Sequence, residues 1–140
     1  MRGFRFSTEL RVRFNETDGQ GVAHNAVYLV WFELARIAYL AQFPGGYKGL
    51  VERGVDATTI EANVRYRAGC RFDDALTVWA RARDLKGARF AFDYAVERTS
   101  DPVGLVADGW TSHACVDPRT LRPVRVPAWL ATAIAAAETG

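Results

Sequence analysis

One aspartate in this chain stands where it could do chemistry. Asp18 lies in the polar stretch Glu16-Thr17-Asp18-Gly19-Gln20-Gly21-Val22-Ala23, which runs directly into a long apolar segment over residues 25–43. In that segment Ala26, Val27, Leu29, Val30, Phe32, Leu34, Ala35, Ile37, Ala38, Leu40 and Ala41 occupy every side of a helical wheel. A helix that is apolar all round is expected to be buried all round. A carboxylate held against such a helix is drawn out of water, which makes a carboxylate more reactive as a base or nucleophile. The helix start supplies unpaired backbone N–H groups and the positive end of a dipole. Aimed at a carbonyl under attack, these would stabilise the oxyanion. The competing reading is an aspartate that merely forms the turn or caps the helix.

Other polar groups offer less. His24 follows Asp18 by six residues and suits a wall or capping position, and His113 falls in the last apolar strand, where a structural role is expected. Glu33 and Arg36 are one turn apart on the helix, the spacing of a buried or interfacial ion pair. Cys70 and Cys115 are far apart with no CxxC spacing. Neither a metal site nor a disulfide framework is expected, and two free thiols fit a reducing cytosol. The Asn15-Glu16-Thr17 sequon is then accidental.

Composition sets the outer bounds. The 140 residues amount to one domain, 49% apolar and 24% charged, a globular profile. A net charge of +2, with arginines scattered along alternating strands, gives no reason to expect a nucleic-acid binder. Arg2 and Arg5 follow Met1 with no apolar run behind them, so no signal peptide is expected and the cytoplasm is the expected location. The apolar helix, interrupted by Glu33 and Arg36, is too short to span a bilayer.

The elements that must position Asp18 follow from periodicity. Residues 8–15 alternate, with Leu10, Val12 and Phe14 on one face, and predict a half-buried strand. Pro44-Gly45-Gly46 ends the long helix, and a short helical turn over 47–53 leads to Gly54. Four alternating strands follow, over 58–67, 76–85, 89–98 and 105–116. The first of them sets Ile60, Ala62, Val64 and Tyr66 against a polar face that carries Glu61. A helix over 128–138 closes the chain. Hairpin-length connections imply antiparallel neighbours. The expected architecture is α+β, a five-stranded antiparallel sheet curled around one long buried helix, plus a short C-terminal helix. Its unpaired edges predict at least a dimer.

Residues 18–28, Asp-Gly-Gln-Gly-Val-Ala-His-Asn-Ala-Val-Tyr, with Phe32-Glu33 and Ala35-Arg36 behind them, resemble the signature of hot-dog-fold acyl-CoA thioesterases of the 4-hydroxybenzoyl-CoA thioesterase type. Val64-Arg65-Tyr66-Arg67-Ala68, Asp73-Asp74, and Val116-Asp117-Pro118 with its basic tail are similar too, so the resemblance covers nearly the whole chain. It implies the hot-dog fold, hydrolysis of a coenzyme A thioester without metal or redox cofactor, and a homodimer or homotetramer. It also implies Asp18 as nucleophile or general base and Asn25 as oxyanion donor through its N–H, with the Asn25 side chain at the cap. Gly21 and His24, in the same turn, are implied as substrate-binding residues, and Gln20 and His24 depart from the commonest family pattern. Tyr28 and Trp31, with Phe32 and Tyr66, are candidates to line an acyl pocket. Arg67, Arg71, Lys86 and Arg89, with Arg122 and Arg125, sit at strand ends and loops where coenzyme A phosphates would be met. Two other functions compete. A thioester hydratase or dehydratase needs an Asp/His pair with an Asn-Pro turn, and no proline separates Asp18 from His24. An acyl-CoA sensor would bind the thioester without cleaving it.

Overall fold

The computed structural model describes residue 1 and residues 3–139. Alternating apolar side chains make β3 (Ala75–Lys86), β4 (Arg89–Arg98) and β5 (Gly104–Val116) a curved sheet. Its inner face carries Leu76, Val78, Ala80, Phe92, Tyr94, Val96, Thr111, His113 and Cys115, all buried. β1 (Phe6–Arg11) adds to the β3 side and β2 (Asp56–Tyr66) to the β5 side, giving the order β1-β3-β4-β5-β2, antiparallel throughout. The β3–β4 and β4–β5 connections are the expected hairpins. The β2–β3 connection is not: residues 67–74 carry the chain from one edge strand across to the far half of the sheet.

The long helix, α1 (Val27–Leu40), lies in the concave face. Tyr28, Trp31, Phe32, Ala35 and Tyr39, spaced three or four apart, form its buried stripe. Large side chains so buried contribute roughly 1.5–3 kcal/mol each. Phe32 stacks on Tyr94 with ring centroids 4.3 Å apart. Gly109 makes that approach possible, since a Cβ there would lie 3.0 Å from the Phe32 ring and 2.0 Å from the Asn63 carbonyl. The expectation of burial all round fails: Leu29, Val30, Leu34 and Ile37 are exposed, Leu34 at 48%. The sheet covers one side of the helix only.

Two further expectations shift. β1 ends at Arg11; Val12 is buried, but Phe14 is 76% exposed. The Glu16 carboxylate accepts the Arg13 N–H at 2.8 Å and winds Phe14–Glu16 into a 3-10 turn, which breaks the alternation. In β2 a register shift between Thr59 and Glu61 turns Thr59 inward, where it reaches His113 Nδ1 at 3.3 Å, and leaves Ile60 exposed, while Val64 beyond the shift packs against the core as the alternation predicts. The short helix α2 (Gly46–Glu52) follows the proline–glycine stop, and α3 (Ala128–Thr139) seats Leu130 and Ile134 in the core. The Glu138 carboxylate on α3 accepts hydrogen bonds from the Tyr39 hydroxyl and the Ala82 N–H. Among the described residues, no helix is long and apolar enough to cross a membrane, and no group of three or more His, Cys, Asp or Glu is placed to hold a metal ion. Cys70 and Cys115 are free and buried.

Candidate active site

Asp18 builds its own turn. Its Oδ1 accepts the N–H of Gln20 at 2.8 Å and that of Val22 at 3.4 Å, while its own N–H donates to the Val22 carbonyl at 2.8 Å. Gly21 closes the turn at φ 80°, a left-handed conformation that suits glycine. Among the described residues, Oδ2 accepts no hydrogen bond. One oxygen therefore shapes the loop and the other is left for chemistry, so the turn-forming and reactive readings meet in one side chain. The carboxylate is half-buried, less removed from water than its place beside an apolar helix suggested.

The crossing loop fixes this turn from outside. The Ala23 N–H donates to the Cys70 carbonyl at 2.7 Å, and Val22 bridges Arg71. The Arg71 guanidinium passes over the turn, 3.5 Å from where a Gly21 side chain would begin. Arg98, at the end of β4, holds the loop by donating to the Gly69 carbonyl at 2.6 Å.

The helix start differs from expectation in one detail. Among the described residues no side chain caps it, neither Asn25 nor His24: the N-cap residue is Ala26, whose own N–H donates to His24 Nδ1 at 3.2 Å. The Asn25 carbonyl accepts the Tyr66 hydroxyl at 2.9 Å, and the Asn25 N–H has no acceptor among the described residues. An open cavity of about 300 Å³ lies here, lined by Val22, Asn25, Tyr28, Tyr66, Arg67 and Gly69 among others. Tyr28 sets its hydroxyl 3.4 Å from Cys70 Sγ, and burial, ahead of that contact, pushes the phenol above its ordinary range. Burial likewise raises the Cys70 thiol. Arg67 is tied to both Asp108 oxygens, at 3.3 and 3.1 Å.

Some proposed pocket residues lie elsewhere. Trp31 is fully buried, with its indole N–H donated to Glu16 Oε2 at 3.1 Å, so it backs the Tyr28 wall and lines no cavity surface. Phe32 is likewise core. Lys86 and Arg89 pair across the β3–β4 turn. Arg98, which touches the site loop, is nine residues from Arg89 along β4, roughly 30 Å at about 3.4 Å per residue. Within one chain these two cations stand at the far end of the sheet. Glu33 and Arg36 form no ion pair within 4 Å; Arg36 donates to the Tyr94 hydroxyl at 3.0 Å instead.

The residue the sequence did not mark is Glu16. It is 6% exposed and holds the Arg13 N–H, the Arg13 guanidinium at 3.3 Å and the Trp31 indole. Burial raises its carboxyl, but these hydrogen bonds outweigh that and leave it below the ordinary carboxylate range. The arginine three residues earlier is the one hint the sequence carries.

Comparison with known proteins identifies the family and the fold. The family model of the thioesterase-like superfamily matches residues 12–134. An acyl-CoA thioesterase, YbgC, of Haemophilus influenzae is 30% identical over 123 residues, 87% of this chain and 88% of that protein. A putative acyl-CoA thioesterase, YneP, of Bacillus subtilis is 26% identical over 117 residues, 84% and 83% respectively. The crystal structure of a 1,4-dihydroxy-2-naphthoyl-CoA thioesterase, Slr0204, from Synechocystis superposes with a TM-score of 0.83 at 23% identity, covering 93% of this chain and 95% of that one. With its five-stranded antiparallel sheet curved over one long helix, the chain has the hot-dog fold and belongs to the thioesterase-like superfamily.

Proposed function

We propose that the protein hydrolyses an acyl-CoA thioester to the free acid and coenzyme A at the Asp18 corner. The observation that carries this reading is that the loop leading into α1 holds both an unshared carboxylate oxygen, Asp18 Oδ2, and an unpaired backbone donor, the Asn25 N–H. The carbonyl oxygen of the thioester takes that N–H. Asp18 then acts on the carbonyl carbon as general base, through a water molecule, or as nucleophile. Either way the C–S bond breaks, the thiol of coenzyme A leaves, and the oxygen of one water ends in a carboxylate. Arg67 and Arg71 stand beside the cavity where phosphates of the carrier would pass.

The reading includes a second copy of the chain. β2 is an edge strand, and a two-fold antiparallel pairing along it would set the Asp56 end of one copy against the Tyr66 end of the other. The Lys86–Arg89 turn of that second copy lies on the Asp56 side of its own sheet, because Arg89 pairs Ala114 and Asp56 pairs Val116. The pairing would bring those cations toward the first copy's Asp18 corner.

The test is release of free thiol from a panel of acyl-CoA thioesters by the protein and by Asp18→Asn. We expect a loss of kcat of roughly 100- to 10,000-fold, the range for a lost acid–base group, with an unchanged thermal midpoint. Saturable binding with no thiol released over hours identifies a sensor instead, and a variant that keeps most of its activity removes Asp18 from the mechanism.

A further inference from the structure

A second cavity, of about 220 Å³, is more enclosed than the cavity at the start of α1 and shares no wall residue with it. It lies between α1, α2, the inner face of the sheet and α3, with Leu50, Phe90, Phe92, Leu130 and Ile134 among its apolar walls. On this wall Arg36 is half-buried. Of its five N–H donors one meets a protein acceptor among the described residues, the Tyr94 hydroxyl, and no carboxylate lies within 4 Å.

The surrounding polar groups do not neutralise that cation. The Tyr94 hydroxyl shares a hydrogen bond with the Thr111 hydroxyl at 2.6 Å, and Thr111 shares one with His113 Nε2 at 2.7 Å, a chain without formal charge. The Tyr47 hydroxyl is spent on Asp56 at 2.7 Å, and the Thr59 hydroxyl on His113. Burial pushes the Cys115 thiol up to about 11, so it stays neutral. Glu33 lines the mouth but is exposed to water and leaves Arg36 unpaired. A half-buried guanidinium with donors to spare, facing this chamber, is available to an anion, and its fork fits a carboxylate in two parallel hydrogen bonds. An apolar cavity of about 150 Å³ holds benzene, so this volume suits one substituted ring or a short chain.

We propose that the chamber binds an organic carboxylate, its apolar body among the Phe90, Phe92 and Leu130 side chains and its carboxylate on Arg36. The carboxylate could be that of a free acid or one at the far end of an acyl group carried as a thioester. The chemistry of the contact is the same.

Calorimetric titration of the full-length protein with phenylacetate and with phenylacetamide, its neutral counterpart, tests the proposal without turnover. Phenylacetate is expected to bind saturably and at least 10-fold more tightly than the amide. Arg36→Gln should reduce the ratio to within twofold, Ile134→Trp should fill the chamber and abolish both, and Asp18→Asn should leave both affinities unchanged. No saturable binding, equal binding of acid and amide by the unaltered protein, or undiminished binding by Ile134→Trp overturns the proposal. The first two comparisons need no variant to fold. The source is read from hydrolysis: an Arg36→Gln loss of kcat/KM confined to thioesters with a distal carboxylate assigns the acyl group, and unchanged kcat/KM with lost phenylacetate binding assigns the free acid. Because binding is read with Asp18→Asn as well, failure here leaves the hydrolysis reading standing, and failure of hydrolysis leaves this one.

Discussion

Trp31 donates its indole N–H to Glu16 Oε2 at 3.1 Å, joining the buried stripe of α1 to the turn that carries Asp18. The same carboxylate holds the Arg13 N–H, so a single side chain fixes where β1 ends, how the loop folds and where the helix begins. Glu16→Ala would release the Arg13 N–H and strand the buried Trp31 indole, the latter at a cost of roughly 1–3 kcal/mol for a buried group left unsatisfied. Urea unfolding at neutral pH measures it. The pH dependence follows from the lowered carboxyl: its contribution is complete above the unfolded value of 4.5 and is lost as pH falls through the lower folded value. Glu16→Gln should therefore flatten the stability profile below pH 4.5.

A second prediction concerns the sheet. Gly109→Ala places a Cβ 2.0 Å from the Asn63 carbonyl and 3.0 Å from the Phe32 ring. β2 and β5 must part to relieve the first clash, and the Phe32 ring must shift to relieve the second. We expect a loss of roughly 1–3 kcal/mol, the cost of overpacking a tight interior, seen as a lowered denaturation midpoint. Unchanged stability would mean that the β2–β5 contact is looser than the geometry implies.

His113 is buried, and burial first, then the Arg36 charge, pushes its imidazole down from 6.5 to about 3. The folded protein keeps it neutral while the unfolded chain takes up a proton, so stability falls as pH drops from about 6.5 toward 3. The loss across that window is on the order of 4 kcal/mol at 1.36 kcal/mol per unit. His113→Asn should lower stability at pH 8 yet show a flatter dependence between pH 6.5 and 4. Parallel profiles for the two proteins would refute the assignment.

The uncovered apolar face of α1 and the free edge of β2 point to the same consequence. Leu34 and Ile60 are exposed in the single chain, so charging them costs the monomer little. The double variant Leu34→Glu, Ile60→Glu is expected to run as one 15.5 kDa chain by light scattering, while the unaltered protein runs as a dimer or larger. A variant with the parent's mass would exclude these surfaces from association.

Much of this architecture is written locally. The alternation in β3, β4 and β5, the proline–glycine stop after α1 and the Asp18 turn before it depend on neighbours a few residues apart, and periods of 2 and 3.6 report them directly. What periodicity reports is which face is apolar. Which element covers that face, and whether any does, depends on residues distant in the chain. That is why α1 was legible as apolar on every side but not as half-covered, and why β2 was legible as a strand but not as the partner of β5. The Trp31–Glu16 bond, the pairing of Arg36 with Tyr94 in place of Glu33, and the removal of Lys86 and Arg89 to the far end of the sheet belong to the same class. Each depends on contacts between segments distant in the chain, as does the packing of residues 67–74 against the turn before α1, and no local period reports such contacts.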